Sequence, residues 1–255
     1  MSVHGEFCWI ELTAPDTAAA RDFYAALCGW TYEPMAMPVP GGTYYVAQHG
    51  GQGIAGLMGL PERCPPAWTL YVAVDDADAT AAKAVELGGR VEMPPYDIPE
   101  VGRMLVLSDP AGAAIACLQP LPQAAPPPPA MAPGGIAWRE LATPDLPGAL
   151  AFYGALFGWQ GREEPFPGQP GSVYGLFAAG GRDIAGILPL AGPQMAGIPP
   201  HWAVYFATAD LAASVATAER HGGALVRPPF AVPGIGDIAV IRDPGGAVAM
   251  LMQPA

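Results

Sequence analysis

Phe7-Cys-Trp-Ile-Glu-Leu-Thr-Ala-Pro-Asp16 is matched, 129 residues later, by Ile136-Ala-Trp-Arg-Glu-Leu-Ala-Thr-Pro-Asp145. The correspondence extends outward from that pair. Phe23, Tyr24, Leu27, Gly29 and Trp30 recur as Phe152, Tyr153, Leu156, Gly158 and Trp159. Ile54-Ala55-Gly56 returns as Ile184-Ala185-Gly186, Trp68 and Tyr71 as Trp202 and Tyr205, and Gly88-Gly89 as Gly222-Gly223. Asp109-Pro110 and Gln119-Pro120 return as Asp243-Pro244 and Gln253-Pro254. A period this long marks a duplicated domain rather than a solenoid. Domains are expected over residues 1–122 and 134–255. The proline-rich segment between them, residues 123–133, is expected to be an extended polyproline II spacer.

Composition bounds the function. Hydrophobic residues make up 51% of the 255, enough for a sizeable core, while charged residues are only 13%. The net charge of −12 leaves no basic surface for a nucleic-acid groove and disfavours an anionic membrane. No apolar run is long enough to span a bilayer, and the first residues lack the pattern of a secretory signal. The four cysteines form no CxxC pair and read as free thiols in a reducing compartment, so a cytoplasmic location is expected.

Each copy reads twice as strand, helix and strands. In the first, the strand Phe7 to Thr13 meets Pro15-Asp16, with Asp16 capping a helix over Thr17 to Leu27 that stops at Gly29. Strands Thr43 to His49 and Ile54 to Leu60 flank the turn Gly50-Gly51. A strand over Trp68 to Val74, a helix over Asp76 to Leu87 and a hairpin about Asp109 to Gly112 repeat that order. Three stretches rich in Pro, Met or aromatics, Trp30 to Gly42, Pro94 to Gly102 and Pro228 to Gly236, read as loops at a cleft mouth.

The motifs Pro15-Asp16, Phe23-Tyr24, Gly29-Trp30, Leu87-Gly88-Gly89 and Asp109-Pro110-Ala111-Gly112, in this order and found twice, resemble the vicinal oxygen chelate superfamily. That superfamily holds glyoxalase I, bleomycin-resistance proteins and extradiol dioxygenases. The resemblance implies an α+β fold of two tandem glyoxalase/bleomycin-resistance-like domains, each two βαβββ units forming a curved, U-shaped sheet with helices outside. Members that do metal chemistry place His or Glu on the hollow face of that sheet. Carried over by motif, those positions fall on Trp9 and Trp138, Thr69 and Ala203, Ala116 and Met250, and near Ala47 and Phe177. None is a good ligand for a divalent ion, and His4, His49, His201 and His221 show no ligand spacing. No metal or other cofactor is therefore expected, the alternative being a divalent ion held by residues outside this carry-over.

Alternation along the strands assigns the hollow face. Phe7, Trp9 and Glu11 share it in the first strand, opposite Cys8, Ile10 and Leu12, and Ile136, Trp138 and Glu140 share it in the second copy. Arg139 departs from this pattern among the helix-facing positions. Thr69, Tyr71, Tyr205 and Met250 join the hollow face from later strands. Trp9, Thr69, Tyr71, Trp138, Tyr205 and Met250 are thus candidate ligand-binding residues, and Glu11 and Glu140 candidate acid/base groups unless an arginine such as Arg21 or Arg139 neutralises them. Aromatic walls with a carboxylate suit a small aromatic molecule, neutral or cationic. The leading expectation is metal-independent sequestration of such a molecule, as in bleomycin resistance. The alternative is a lyase, isomerase or oxygenase of the superfamily acting on a hydrophobic metabolite. The expected partner is a small molecule, and the chain is expected as a monomer that mimics a dimer, or as a homodimer.

Overall fold

The computed structural model describes residues 4–36, 42–59, 64–121, 132–169 and 171–255. Most of the expected polyproline spacer, residues 123–131, and part of the stretch after Trp30, residues 37–41, lie outside the described residues.

Four β-α-β-β-β modules follow one another. The first is β1 (Phe7–Ala14), α1 (Thr17–Cys28), β2 (Thr31–Ala36), β3 (Thr43–His49) and β4 (Gln52–Gly59). The second is β5 (Ala67–Ala73), α2 (Ala77–Glu86), β6 (Arg90–Ile98), β7 (Gly102–Ser108) and β8 (Ala114–Pro120). The third is β9 (Ile136–Thr143), α3 (Leu146–Phe157), β10 (Gln160–Pro165), β11 (Val173–Ala179) and β12 (Arg182–Pro189). The fourth is β13 (His201–Ala207), α4 (Leu211–Arg220), β14 (Ala224–Val232), β15 (Gly236–Arg242) and β16 (Val248–Pro254). They build two eight-stranded sheets, in the orders β2-β3-β4-β1-β5-β8-β7-β6 and β10-β11-β12-β9-β13-β16-β15-β14, neither of them closed. The α+β class and the tandem arrangement are as the repeat implied.

Helix starts follow the sequence signals. Asp16 Oδ1 accepts from the amides of Ala18 and Ala19, and Asp76, Asp145 and Asp210 cap the other three helices in the same way. Three stretches expected as loops need correction, because the first contains strand β2 and the others take in the ends of β6 and β14. With β10 these are the sheet edges, and each carries proline: Pro34, Pro94-Pro95, Pro165 and Pro228-Pro229. An edge strand tolerates a residue without an N–H, which is why turn-like composition and strand geometry coexist here. The pairing slips where the two prolines stand together, between Met93 and Tyr96 and between Arg227 and Phe230.

The chain divides into two compact units that cut across the sequence halves. One comprises Met1–Cys8, Leu70–Pro126 and Arg139–Trp202; the other comprises Trp9–Thr69, Pro127–Trp138 and Ala203–Ala255. Each unit thus joins modules from both copies, with α2 packing on α3 in the first and α1 on α4 in the second.

The core of the second unit is organised around Tyr24, which is fully buried in its interior. Its hydroxyl donates to Asp243 Oδ2 at 3.2 Å and accepts from Trp68 Nε1 at 2.9 Å. Its ring stacks on Trp30 and meets Trp68 and Phe206 edge-on. The first unit repeats this with Tyr153, which donates to Asp109 Oδ2 at 3.1 Å, accepts from Trp202 Nε1 at 2.9 Å and stacks on Trp159. The other oxygen of each aspartate accepts two hairpin amides, from Gly112 and Ala113 or from Gly246 and Ala247. The glycine pair of the repeat belongs to the same contact: a Cβ at Gly223 would stand 2.7 Å from the Phe23 ring, and one at Gly89 3.0 Å from Phe152.

Phe7 also needs correction. It is buried against Trp159 and Trp202 rather than sharing a face with Glu11, and the burial pattern of β1 departs from strict alternation at Cys8 and Trp9. Arg139, the residue that broke the expected pattern, lies over the Phe7 ring at 4.9 Å. Burial pushes its guanidinium down to about 10. No helix among the described residues is long and apolar enough to cross a membrane.

Burial and the adjacent carboxylate push the hydroxyls of Tyr24 and Tyr153 far above the usual tyrosine range, and burial raises the Asp243 carboxyl. Tyr24→Phe and Tyr153→Phe should each cost about 1–3 kcal/mol of stability in urea unfolding, by leaving a buried carboxylate and indole short of a partner. An unchanged midpoint would show that the bond does not hold the unit together. A carboxyl raised in the folded state binds its proton more tightly there than in the unfolded chain. Its contribution to stability is complete below the unfolded value and is lost as pH rises through the folded one. The wild type should therefore lose stability relative to Asp243→Asn as pH climbs from about 4, the ordinary aspartate value, towards neutrality, as followed by thermal unfolding across that range.

Candidate functional site

β1 and β4 run parallel with Glu11 opposite Gly56, and β9 and β12 repeat this with Glu140 opposite Gly186. Glu11 stands between the buried Ile10 and Leu12 in sequence, so its side chain leaves the sheet on the face away from them. There the Tyr44 hydroxyl donates to Glu11 Oε2 at 2.9 Å, and Trp9 Nε1 donates to that same hydroxyl at 3.0 Å. The three residues form a directed chain in which the indole proton fixes the tyrosine oxygen and the tyrosine proton fixes the carboxylate.

Gly56 makes room for this chain. A Cβ built there would overlap the Tyr44 hydroxyl and stand 2.9 Å from Trp9 Nε1, and one at Gly53 would stand 3.3 Å from the Val46 side chain. In the second copy the Tyr174 hydroxyl donates to Glu140 at 2.6 Å. Glu140 is buried, with 7% of its surface exposed, whereas Glu11 is half-buried.

The remaining candidates separate. Trp138, Tyr205 and Met250 come together: Tyr205 pairs with Met250 across the parallel strands β13 and β16. Trp138, Met250, Phe230 and Val232 pack half-buried on a buried cluster that includes Tyr205, Ile238 and Met252. Tyr71 is buried opposite Ala116, and its carbonyl accepts from the Cys8 thiol at 3.6 Å. Burial pushes that thiol up to about 12, which removes Cys8 from consideration as a nucleophile. Thr69 is half-buried one turn of the pleat before it. Arg21 lies over the ring of Tyr45 at 4.3 Å, as Arg139 lies over Phe7.

Sequence reasoning missed Tyr44 and Tyr174. The third-strand position was placed near Ala47 and Phe177, but Phe177 is fully buried against Tyr153, Trp159 and Trp202 on the helix side. The signal was present, since Tyr44 and Tyr174 recur between the same motifs.

The donors do not fit a divalent ion of the kind the fold family implies. Among the described residues no three His, Cys, Asp or Glu side chains converge where they could hold one. His49 packs against Gly134 at the end of β3, with Nδ1 buried and lacking a hydrogen-bond partner. All four cysteines are free.

Comparison with known proteins agrees with the duplicated architecture. Residues 9–118 match a family described as a glyoxalase-like domain, and residues 135–251 match the glyoxalase/bleomycin resistance protein/dioxygenase superfamily. A Mycobacterium bovis protein bearing the name "Putative glyoxylase CFP32" is 38% identical over 97% of this chain and 94% of its own length. The anthracycline biosynthesis protein DnrV of Streptomyces peucetius is 34% identical over 95% of this chain and 91% of its own. Among solved structures, the Mn(II)-bound glyoxalase of Novosphingobium aromaticivorans covers 99% of this chain and 83% of its own at TM-score 0.63 and 18% identity. A homoprotocatechuate 2,3-dioxygenase variant from B. fuscum covers 98% of this chain and 72% of its own at TM-score 0.64 and 16% identity. These structural likenesses speak to the fold.

Gly56→Ala should displace Tyr44 from Glu11 while costing about 1–3 kcal/mol through overpacking. The measurable sign is a changed Trp9 emission spectrum, matched by Tyr44→Phe, which removes the hydroxyl without adding bulk. Identical spectra in wild type and both variants would mean that the indole does not report on the chain.

Proposed function

The chain belongs to the glyoxalase/bleomycin resistance protein/dioxygenase superfamily, and from that premise we propose that it is an enzyme of the superfamily that shifts a proton on a hydrophobic, aromatic metabolite. The class of reaction is isomerisation, with Glu11 and Glu140 as the acid/base groups. The observation that carries this reading is the recurrence in both copies of a carboxylate aimed by a tyrosine hydroxyl. Positioned general bases of this type contribute typically 10²–10⁴-fold to rate, given hydrogen-bond reach to the proton they take.

The chemistry needs only this chain's own residues. The carboxylate takes a proton from a carbon next to a carbonyl and returns it at a neighbouring position, which regenerates the carboxylate. Tyr44 and Trp9 hold Glu11 in place, so that little reorganisation accompanies the transfer. The relatives' names, one pointing to a glyoxylase and one to anthracycline biosynthesis, support a carbonyl-bearing aromatic substrate. The free cysteines suit a reducing compartment, which supports a cytoplasmic location.

A second reading, capture of an aromatic molecule without reaction, is favoured by a different observation. Trp138, Phe230 and Met250 form a half-buried apolar face packed on the buried cluster.

The two are separated by following solvent deuterium into a panel of aryl ketones and thiol–glyoxal adducts by mass spectrometry, alongside quenching of tryptophan fluorescence. The enzyme reading expects incorporation that falls about 10²-fold or more in Glu11→Gln or Glu140→Gln, with quenching retained. Quenching without incorporation in any compound would establish capture instead.

A further inference from the structure

The fourth module carries two arginines on the apolar face of its strands, and no carboxylate stands with them. α4 packs on the other face, where Ala239, Ile241, Ala249 and Leu251 are buried. Ile238, Val240 and Arg242 therefore alternate onto the face away from α4, opposite Met252, Met250 and Val248 of β16. β14 sets Arg227 opposite Val240 and Phe230 opposite Ile238, so both share that face. The contact agrees with the register, since the Arg227 guanidinium lies over the Phe230 ring at 3.8 Å. Between the arginines runs an apolar floor, with Val240 and Met250 half-buried and Val248 exposed, and Trp138 packs on the same cluster.

The second module has the neutralised form of this place. There Glu92 accepts from Arg90 at 3.1 Å and from the Ser108 hydroxyl at 2.6 Å. By register Arg90, Met93 and Ser108 correspond to Ala224, Arg227 and Arg242, and Glu92 corresponds to Val226. The fourth module has gained guanidinium groups where the second has Met93 and Ser108, and has lost the carboxylate. Arg227 and Arg242 are exposed and make no ion pair among the described residues. The acidic residues of this module lie elsewhere. Asp210 caps α4 and Glu219 belongs to it, Asp243 is bonded to Tyr24, and Asp237 alternates onto the α4 face.

From this internal comparison we propose that the face binds a small aromatic carboxylate, its acid group on Arg227 and Arg242 and its ring across Val240 and Met250 toward Trp138. A guanidinium matches a carboxylate in charge and in planar geometry. Arg227 already rests on Phe230, so it has less freedom to lose on binding. The chain's net charge of −12 opposes anions at a distance, which favours one negative charge on a large apolar body over a phosphate or a polyanion. The proposal rests on the capture reading for its face and adds the acid group that the ligand carries. It is independent of the chemistry proposed for the Glu–Tyr pairs.

The test uses the full chain and three probes, 2-naphthoate, neutral 2-naphthamide and inorganic phosphate, titrated by protein-observed NMR. Naphthoate should saturate resonances of β14, β15 and β16. Naphthamide should move the same resonances but bind about five-fold more weakly, the worth of an exposed charge pair. Phosphate should bind more weakly than naphthoate. Arg227→Gln and Arg242→Gln should each weaken naphthoate by about two- to five-fold and leave naphthamide unchanged. Val226→Glu, which restores the carboxylate of the second module at an exposed position, should do the same. Equal affinity for acid and amide at this face would overturn the proposal while capture stands, whereas binding of neither probe there would overturn both. Phosphate binding as tightly as naphthoate, or naphthoate indifferent to both arginine substitutions, would also overturn it.

Discussion

The two buried hydrogen bonds from tyrosine to aspartate, Tyr24 to Asp243 and Tyr153 to Asp109, are the constraint on which the rest of the structure depends. Each sets a carboxylate in an aromatic interior, an environment hostile to charge unless every lone pair has a donor. One oxygen is met by two hairpin amides and the other by a tyrosine whose own oxygen is fixed by an indole. Because tyrosine and aspartate come from opposite copies of the repeat, the bond can form only when modules from both copies share one interior. Each compact unit draws on both copies for that reason, and the motifs Phe-Tyr, Gly-Gly and Asp-Pro recur together because they are parts of one contact.

With the helix-side interior fixed in this way, the polar strand residues are left to the opposite face of each sheet. The carboxylates of Glu11 and Glu140 emerge there, opposite glycines on the neighbouring parallel strand. The absent side chain at Gly56 is as much a part of the arrangement as the tyrosine that fills its space. The copies have diverged around this shared element. The first keeps a half-buried carboxylate tied to an indole, while the second encloses its carboxylate and gathers Trp138, Tyr205 and Met250 into an apolar cluster. Duplication permits such division because one copy can retain an arrangement while the other changes, as Glu92 and Val226 show at a different place.

Where the sequence misled, the cause was local. Pro34, Pro94-Pro95 and Pro228-Pro229 carry turn composition into edge strands, where one side of the ladder is unpaired and the pairing slips across each double proline. Phe7 was assigned to the wrong face because strict alternation was carried through Cys8 and Trp9, where the burial pattern does not follow it. Tyr44 escaped notice because its partner, Glu11, is 33 residues away and on a strand that is not its neighbour.

The duplication, the α+β modules, the aspartate caps and the presence of tryptophan and glutamate at matched strand positions were determined by the sequence alone, because periodicity and capping act over a few residues. Tertiary structure decided that the halves share their interiors, that Glu11 is held by Tyr44 and Trp9, and that Arg103 is clamped between Asp78 and Asp97. Those outcomes rest on which buried polar atom finds which partner across distant segments, and such pairings are fixed only when the chain has packed and water has left.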